Sequence, residues 1–466
     1  MLEGLEITIL TLQSFKNDNI DFRLDAEYFS KESIRLLDVL SKKGFRKISD
    51  FSFVTDGIHS SIDYSDDSRI NLISATSPKQ NIFDLSRKAY ISSKAHFENP
   101  RTALKENDII LSTVGTIGNC AVVTNSILPA NSDRHVGIIR TDDTISPYYV
   151  STFLLSKYGI FQSFRESTGN VQLNLFIYKI RTLKIANAST EFQLNIENVI
   201  KKSHSNLELS KSLYNQSEQI LFEDLNLSEW KPIETNTSIK SFSNSYAISG
   251  RLDAEYYQPK FDEVLQVISN EKHKNLGSIA TFKKSIEPGS VAYQTEGIPF
   301  IRVSDISKFG LSHPEIHLDR NEFDLDDLKP KKDTILLSKD GSVGIAYKVE
   351  QDLDVITSSA LLHLTITDKE VLPDYLTLVL NSKLTQMQAE RDAGGSIIQH
   401  WRPDEIKEVL IPVLPMDTQK ELTKQIQQSF KLRQESTKLI DIAKQAVEIA
   451  IEQDEKTAMK FIKDNT

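Results

Sequence analysis

Few residues in this chain stand at spacings that could support covalent chemistry. Asp374 with Glu405-Ile406-Lys407 has the residue types of a metal-dependent nuclease, in which carboxylates hold a divalent ion and a lysine supports the attacking water. A second copy of the same stretch, described below, has Tyr148, Lys179, Ile180 and Arg181 there, and no strand pattern supports the arrangement. His313 and His317 are four residues apart, as metal ligands can be, but Pro314 argues against the helix that would align them and no third ligand is evident. Both are expected in a loop. An amino-methyltransferase needs an Asx-Pro-Pro-aromatic motif to hold an extruded base, and the chain contains no Pro-Pro dipeptide. Gly115 with Gly118, and Gly341 with Gly344, lead into another strand-like run rather than a helix, so they read as turn formers and not as a cofactor-binding glycine loop. No catalytic residue, metal site or bound cofactor is expected in this chain.

Composition points the same way. A length of 466 residues predicts at least two cores, and 39% apolar with 26% charged residues describes a folded, soluble protein. The acidic start, Met-Leu-Glu-Gly-Leu-Glu, is unlike a signal peptide, and no apolar run approaches the roughly 18 residues of a membrane helix. One cysteine, Cys120, fits a reducing cytoplasm, with no membrane association. The net charge of −10 argues against nonspecific coating of nucleic acid. Basic clusters do occur at Lys42, Lys43, Arg46 and Lys47, at Lys283 and Lys284, and at Lys329, Lys331 and Lys332.

The elements that would position any site come from an internal repeat. Arg23-Leu24-Asp25-Ala26-Glu27-Tyr28-Phe29 returns as Arg251-Leu252-Asp253-Ala254-Glu255-Tyr256-Tyr257, six identical consecutive residues at an offset of 228. At the same offset Leu72 to Thr76 lies over Phe300 to Ser304. From Leu111 over Leu337 the offset is 226. It aligns both glycines of each copy, Pro147 with Pro373, Ser156-Lys157 with Ser382-Lys383, Gly169 with Gly395, and Gln193 with Gln419. Asp108 to Ser112, the glycine turn and Ala121 to Val123 predict a hairpin, followed by helices over Pro147 to Lys157 and Pro373 to Lys383.

From Glu191 to Asp224 the spacing changes to heptads, through Ile196, Ile200, Ser203, Leu207, Ser210, Tyr214, Ser217 and Leu221. Leu422, Ile426, Ser429, Arg433, Ser436 and Ile440 repeat the stripe, which continues through Ala443, Val447 and Ala450, with Arg433 as the mismatch. Two long helices are expected to pair with each other as an antiparallel coiled coil, pairing between chains being the alternative. At about 1.5 Å per residue each would be a spacer of roughly 45 Å. The expected fold is α+β: two tandem mixed α/β modules related by a pseudo-twofold repeat, at 1–188 and 236–414, each followed by a helical segment, at 189–235 and 415–466.

This order of motifs resembles the specificity subunit of type I restriction-modification systems, over about residues 12 to 460. The resemblance implies that each module is a target recognition domain reading one half of a split double-stranded DNA sequence, with the helices setting the gap. It implies two methyltransferase subunits and two translocating restriction endonuclease subunits as partners, and S-adenosylmethionine, ATP and Mg in those partners. Alternatives are a recognition or scaffold subunit of another defence complex, and a subunit that serves methylation only. Base reading needs Arg or Lys for guanine and Asn or Gln for adenine. The candidates are Lys79, Arg134, His135, Arg165, Asn170, Gln172 and Asn174 in the first module, and Arg302, Lys339, Arg391, Gln399, His400 and Arg402 in the second, with Trp401 as wedge or core. Arg23, Asp25, Glu27 and Tyr28, with Arg251, Asp253, Glu255 and Tyr256, are expected to dock each module, the tyrosine on the helical spacer.

Overall fold

Side chains along a strand alternate between its two faces, and Ile109-Ile110-Leu111 shows what this does in the first module. In the computed structural model, which describes residues 8–16, 19–86, 89–169, 171–233, 235, 237–394 and 399–466, Ile109 and Leu111 enter one apolar cluster and Ile110 another. The module opens with α1 (Lys31–Lys43), whose N-cap Ser30 accepts from the Ser33 amide. Strands β1 (Phe45–Lys47), β2 (Ser52–Asp56), β3 (Ile70–Ile73), β4 (Ile109–Ser112), β5 (Cys120–Val122), β6 (Ala130–Ser132) and β7 (Val136–Thr141) follow. Helices α2 (Pro147–Leu155) and α3 (Lys157–Glu166) and strand β8 (Lys184–Ala186) complete it. The main sheet is antiparallel in the order β2-β7-β4-β5, β6 pairs parallel with β3, and β1 pairs with β8. Helix α4 (Thr190–Asp224) leaves the module.

The second module repeats every one of these elements. They are α5 (Pro259–Ser269), β9 (His273–Asn275), β10 (Ala280–Lys284), β11 (Ile298–Ile301), β12 (Ile335–Ser338), β13 (Ala346–Lys348), β14 (Ile356–Thr357) and β15 (Leu361–Ile366). Then come α6 (Pro373–Asn381), α7 (Lys383–Asp392), β16 (Leu410–Pro412), the long α8 (Met416–Glu452) and α9 (Glu455–Asn465). Its main sheet has the order β10-β15-β12-β13. Gly115 and Gly118 turn β4 into β5 at φ of +74° and +85°, and Gly341 and Gly344 turn β12 into β13 at +76° and +83°, the left-handed region that a hairpin turn reserves for glycine.

The register contains one step that the sequence does not announce. Val136 faces Ser112 in the first module and Leu361 faces Ser338 in the second, so β7 matches β15 at an offset of 225 while β4 matches β12 at 226. One residue is dropped after β5 and regained before α2. The helices expected to run to Lys157 and Lys383 stop earlier, because Ser156 and Ser382 adopt extended backbone and a new helix starts at the next residue.

Two compact units result, Met1–Glu208 with Arg433–Thr466, and Leu209–Leu432. Within the first, the start of α4 lies antiparallel to the end of α8: Ser203 Oγ is 2.8 Å from Ser436 Oγ, and the Ser189 amide donates to Glu455 at 3.0 Å. Ile196, Ile200, Ile440, Ala443 and Val447 join one core with Tyr149 and Phe153 of α2. Within the second, the end of α4 lies antiparallel to the start of α8, with Ser210 Oγ 3.0 Å from Ser429 Oγ and Ser217 bonded to Gln425 at 3.1 Å. Tyr214, Leu221, Leu422 and Ile426 enter its core. Each of the heptad positions named above is buried except Arg433, which is half-buried. Gln193 and Gln419 fasten module to helix: Gln193 accepts from the Ser146 amide at 2.9 Å, and Gln419 accepts from the Leu372 amide at 3.0 Å.

Candidate nucleic-acid interface

Beyond β4 the chain passes through Val114 and Gly115, and Asn174 bridges back to both Val114 and Thr168. The second module repeats this, His400 bridging Asp340 and Gly394. In the first module the Gly115 turn, the 172–177 segment, the end of β2 and the residues after β6 enclose a cleft of about 640 Å³. Arg134, His135, Gln172 and Asn174 all line it, so the fold gathers four of the seven candidates named for this module. Arg134 is exposed, and His135 Nδ1 is 3.3 Å from Asp133. Asp56 and His59 line the same cleft and were not singled out by sequence; no spacing signals them, because only the strand pairing brings them there. His59 Nε2 is 2.5 Å from Asp56 Oδ2, and Arg101 Nη1 is 2.8 Å from Asp56 Oδ1. Burial would raise the Asp56 carboxyl, but the bonds from Arg101 and His59 outweigh it and hold the group below the usual carboxylate range.

Lys79 lies in a short hairpin of Pro78–Lys79 with Ile82–Phe83 and pairs with Asp84 at 2.7 Å. Burial raises the Asp84 carboxyl, yet Lys79 and the Ser86 amide outweigh it and bring it to about 2. Asn170 lies outside the described residues. In the second module Lys339 bonds to Asp340, which also bonds His400 Nδ1 at 2.9 Å. Lys339 is thereby drawn in, only 13% exposed, while His400 stays 63% exposed. Gln399 is exposed, its carbonyl accepting from the Gly341 amide at 2.9 Å. Arg402 donates through Nε to Glu405 at 2.9 Å, closing the first turn of the Pro403–Lys407 helix. Arg302 stands at the turn before Val303–Asp305, its Nε 3.6 Å from Asp305. Trp401 is core. His317 belongs to a short strand opposite Pro299, not to the loop expected for it.

Arg165 and Arg391 stand elsewhere. Arg23 is bonded to Asp25 at 2.8 Å, and its Nη1 donates to the carbonyls of Arg165 and Ser167. The Arg165 guanidinium covers the Tyr28 ring and pairs with Glu166 at 2.6 Å, and Glu166 also receives Lys179 at 3.0 Å. In the second module Arg251 pairs with Asp253, its Nη1 donates to the Asp392 carbonyl at 2.9 Å, and Arg391 pairs with Asp392 at 2.7 Å. Tyr28 and Tyr256 thus meet the C-terminal ends of α3 and α7 in their own modules, whereas the helix-facing bonds come from Gln193 and Gln419. Glu27 and Glu255 are exposed. Two of the basic clusters are neutralised in part: Lys283 pairs with Asp327, Lys329 with Asp324, Asp326 and Asp354, and Lys331 with Asp352.

Residues 269–443 match the family model of the type I restriction modification DNA specificity domain, and the first module repeats the sheet order of the second. That segment of the chain is a type I DNA specificity domain. A DNA specificity domain is a recognition module and not itself an enzyme. No curated protein matches the chain. Among solved structures, it is similar to a type I restriction-modification S subunit from M. genitalium, at 15% identity and a TM-score of 0.38, over 90% of this chain and 95% of that one. It is also similar to the HsdS subunit from Thermoanaerobacter tengcongensis, at 13% identity and 0.29, over 88% and 97%. The chain has no helix, among the described residues, long and apolar enough to cross a membrane. Nor do three His, Cys, Asp or Glu side chains among those residues converge as a metal site.

Proposed function

We propose that each module of this subunit reads one half of a split duplex target, and that α4 and α8 set the gap between the halves. Two methyltransferase subunits then modify adenine in the two halves, and two translocating restriction endonuclease subunits complete the complex. S-adenosylmethionine, ATP and Mg serve in those partners. The setting is the cytoplasm. One observation supports this reading above others: two modules keep the same strand order and glycine turns, while the side chains that line the first module's cleft differ in type and charge from those at the matching positions of the second. Phosphate contacts can be shared between two sites, but base contacts must differ where the bases differ.

Footprinting of the subunit with its methylating partner is expected to show two protected blocks separated by an unread gap. A single contiguous block overturns the split target. Inserting four residues near Ser210 should change the gap recorded by methylome sequencing and leave both halves intact, and exchange of residues 250–412 should change one half alone.

A further inference from the structure

The strand register identifies which second-module positions correspond to the lining of the first module's cleft, and at one place it disagrees with the sequence offset. Asp56 stands where the second module has Lys284, because Asp56 faces Gly137 in β7 and Lys284 faces Leu362 in β15. Ile58 and Ile286 make the same parallel bridge, to Asp133 and Ser358, so His59 matches Glu287. The one-residue step then matches Arg134 with Ser359 and His135 with Ala360, and the backbone agrees: the His135 carbonyl accepts from Thr113 as the Ala360 carbonyl accepts from Lys339.

Two of these four pairs invert the chemistry, Asp56/Lys284 and His59/Glu287, and the other two replace a basic group by a neutral one. The first module presents a carboxylate at Asp56, then an imidazole and a guanidinium. The second presents an ammonium at Lys284, then a carboxylate at Glu287 that accepts from the Ser359 hydroxyl at 3.0 Å. Beneath them the frame is unchanged in identity: Ile58 and Ile286, Ser112 and Ser338, Gly115 and Gly341, Gly118 and Gly344. Divergence spread evenly over the modules would not leave the supports identical and change the sign of the groups they carry. Arg165 and Arg391, identical and committed to Tyr28 and Tyr256, offer no means of telling one half-site from another.

We infer that the pairs Asp56/Lys284, His59/Glu287, Arg134/Ser359 and His135/Ala360 determine which base pairs each module accepts, an inference that rests on the two-module reading above. Asp56 suits the cytosine amine where Lys284 suits guanine, while Arg134 offers a guanine contact that Ser359 lacks and Glu287 a cytosine contact in place of His59, so the two halves differ at these contacts.

The test uses the full chain assembled with its methyltransferase partner and a randomised DNA library read by methylation. A first-module variant carrying D56K, H59E, R134S and H135A is expected to methylate a changed half-site on one side and the original on the other. R134A alone is expected to relax preference at a single base pair, by roughly 5- to 150-fold. If R134A, or the fourfold variant, methylates both original halves with unaltered preference, the inference is overturned and the split-target reading stands. A wild-type complex that protects one contiguous block removes the reading itself.

Discussion

Arg165 lies over the ring of Tyr28, its guanidinium carbon 3.5 Å from the ring centroid, while its Nε donates to the Tyr28 carbonyl at 3.0 Å. One side chain thus holds both the ring and the backbone of the duplicated N-terminal segment. R165A removes a cation over a ring and leaves Glu166, 9% exposed, with Lys179 as its remaining cation. A loss of about 2–3 kcal/mol in urea unfolding is expected. R165K, which keeps the charge without the planar fork, should fall between. Neither variant should alter the base preference of either half-site.

Gln419 should be costly for a different reason. Its side chain is fully buried, accepting from the Leu372 amide and donating to the carbonyls of Glu370 and Leu414, at 3.0, 2.8 and 2.9 Å. Q419L leaves three backbone groups unpaired at the join of module and helix. Destabilisation of about 3 kcal/mol is expected, with Q419E recovering only the acceptor half.

Acid should weaken the second unit through His363. This imidazole is 5% exposed and bonded to the Thr357 hydroxyl at 2.8 Å, and burial, with a smaller effect from Lys283, lowers its pKa to about 4. A depressed folded pKa means that the unfolded chain takes the proton first. Stability is therefore full above the ordinary histidine pKa of about 6.5 and falls by about 3 kcal/mol as pH drops to about 4. H363Q should flatten that part of a plot of stability against pH; an unchanged slope would assign it to other groups.

At Gly344, φ is +83° and an added Cβ would come within 2.8 Å of Gln386 Nε2, which donates to the Gly344 carbonyl. G344A is expected to cost about 1–2 kcal/mol. Gly341 has a similar φ and open space around it, so G341A should pay only the backbone part. Comparing the two melts separates strain from crowding.

Periodicity and duplication made the frame legible. The heptads named the buried stripe from Ile196 to Leu221 because a 3.5-residue repeat is written in the sequence itself, and paired glycines located both hairpin turns. The cleft was half legible. Arg134, His135, Gln172 and Asn174 were visible as base-reading residue types near turns, but Asp56 and His59 reach them only through the pairing of β2 with β7. Residue type does not tell an arginine facing solvent from one closed over a tyrosine, as Arg165 and Arg391 are. The matching of Arg134 to Ser359 was hidden by a one-residue step that is undone before the next shared motif.

The division of the long helices bears on the order in which the protein can be made. The unit Leu209–Leu432 is one unbroken stretch of chain, whereas the other consists of Met1–Glu208 and Arg433–Thr466, and its core includes Leu439, Ile440, Ala443, Val447 and Ile462. A ribosome delivers those residues only after the whole of Leu209–Leu432. The first module to emerge therefore waits, with an open apolar face, until the second has been synthesised, and a transcript cut short before residue 433 should leave the early module, not the late one, to the cell's chaperones and proteases.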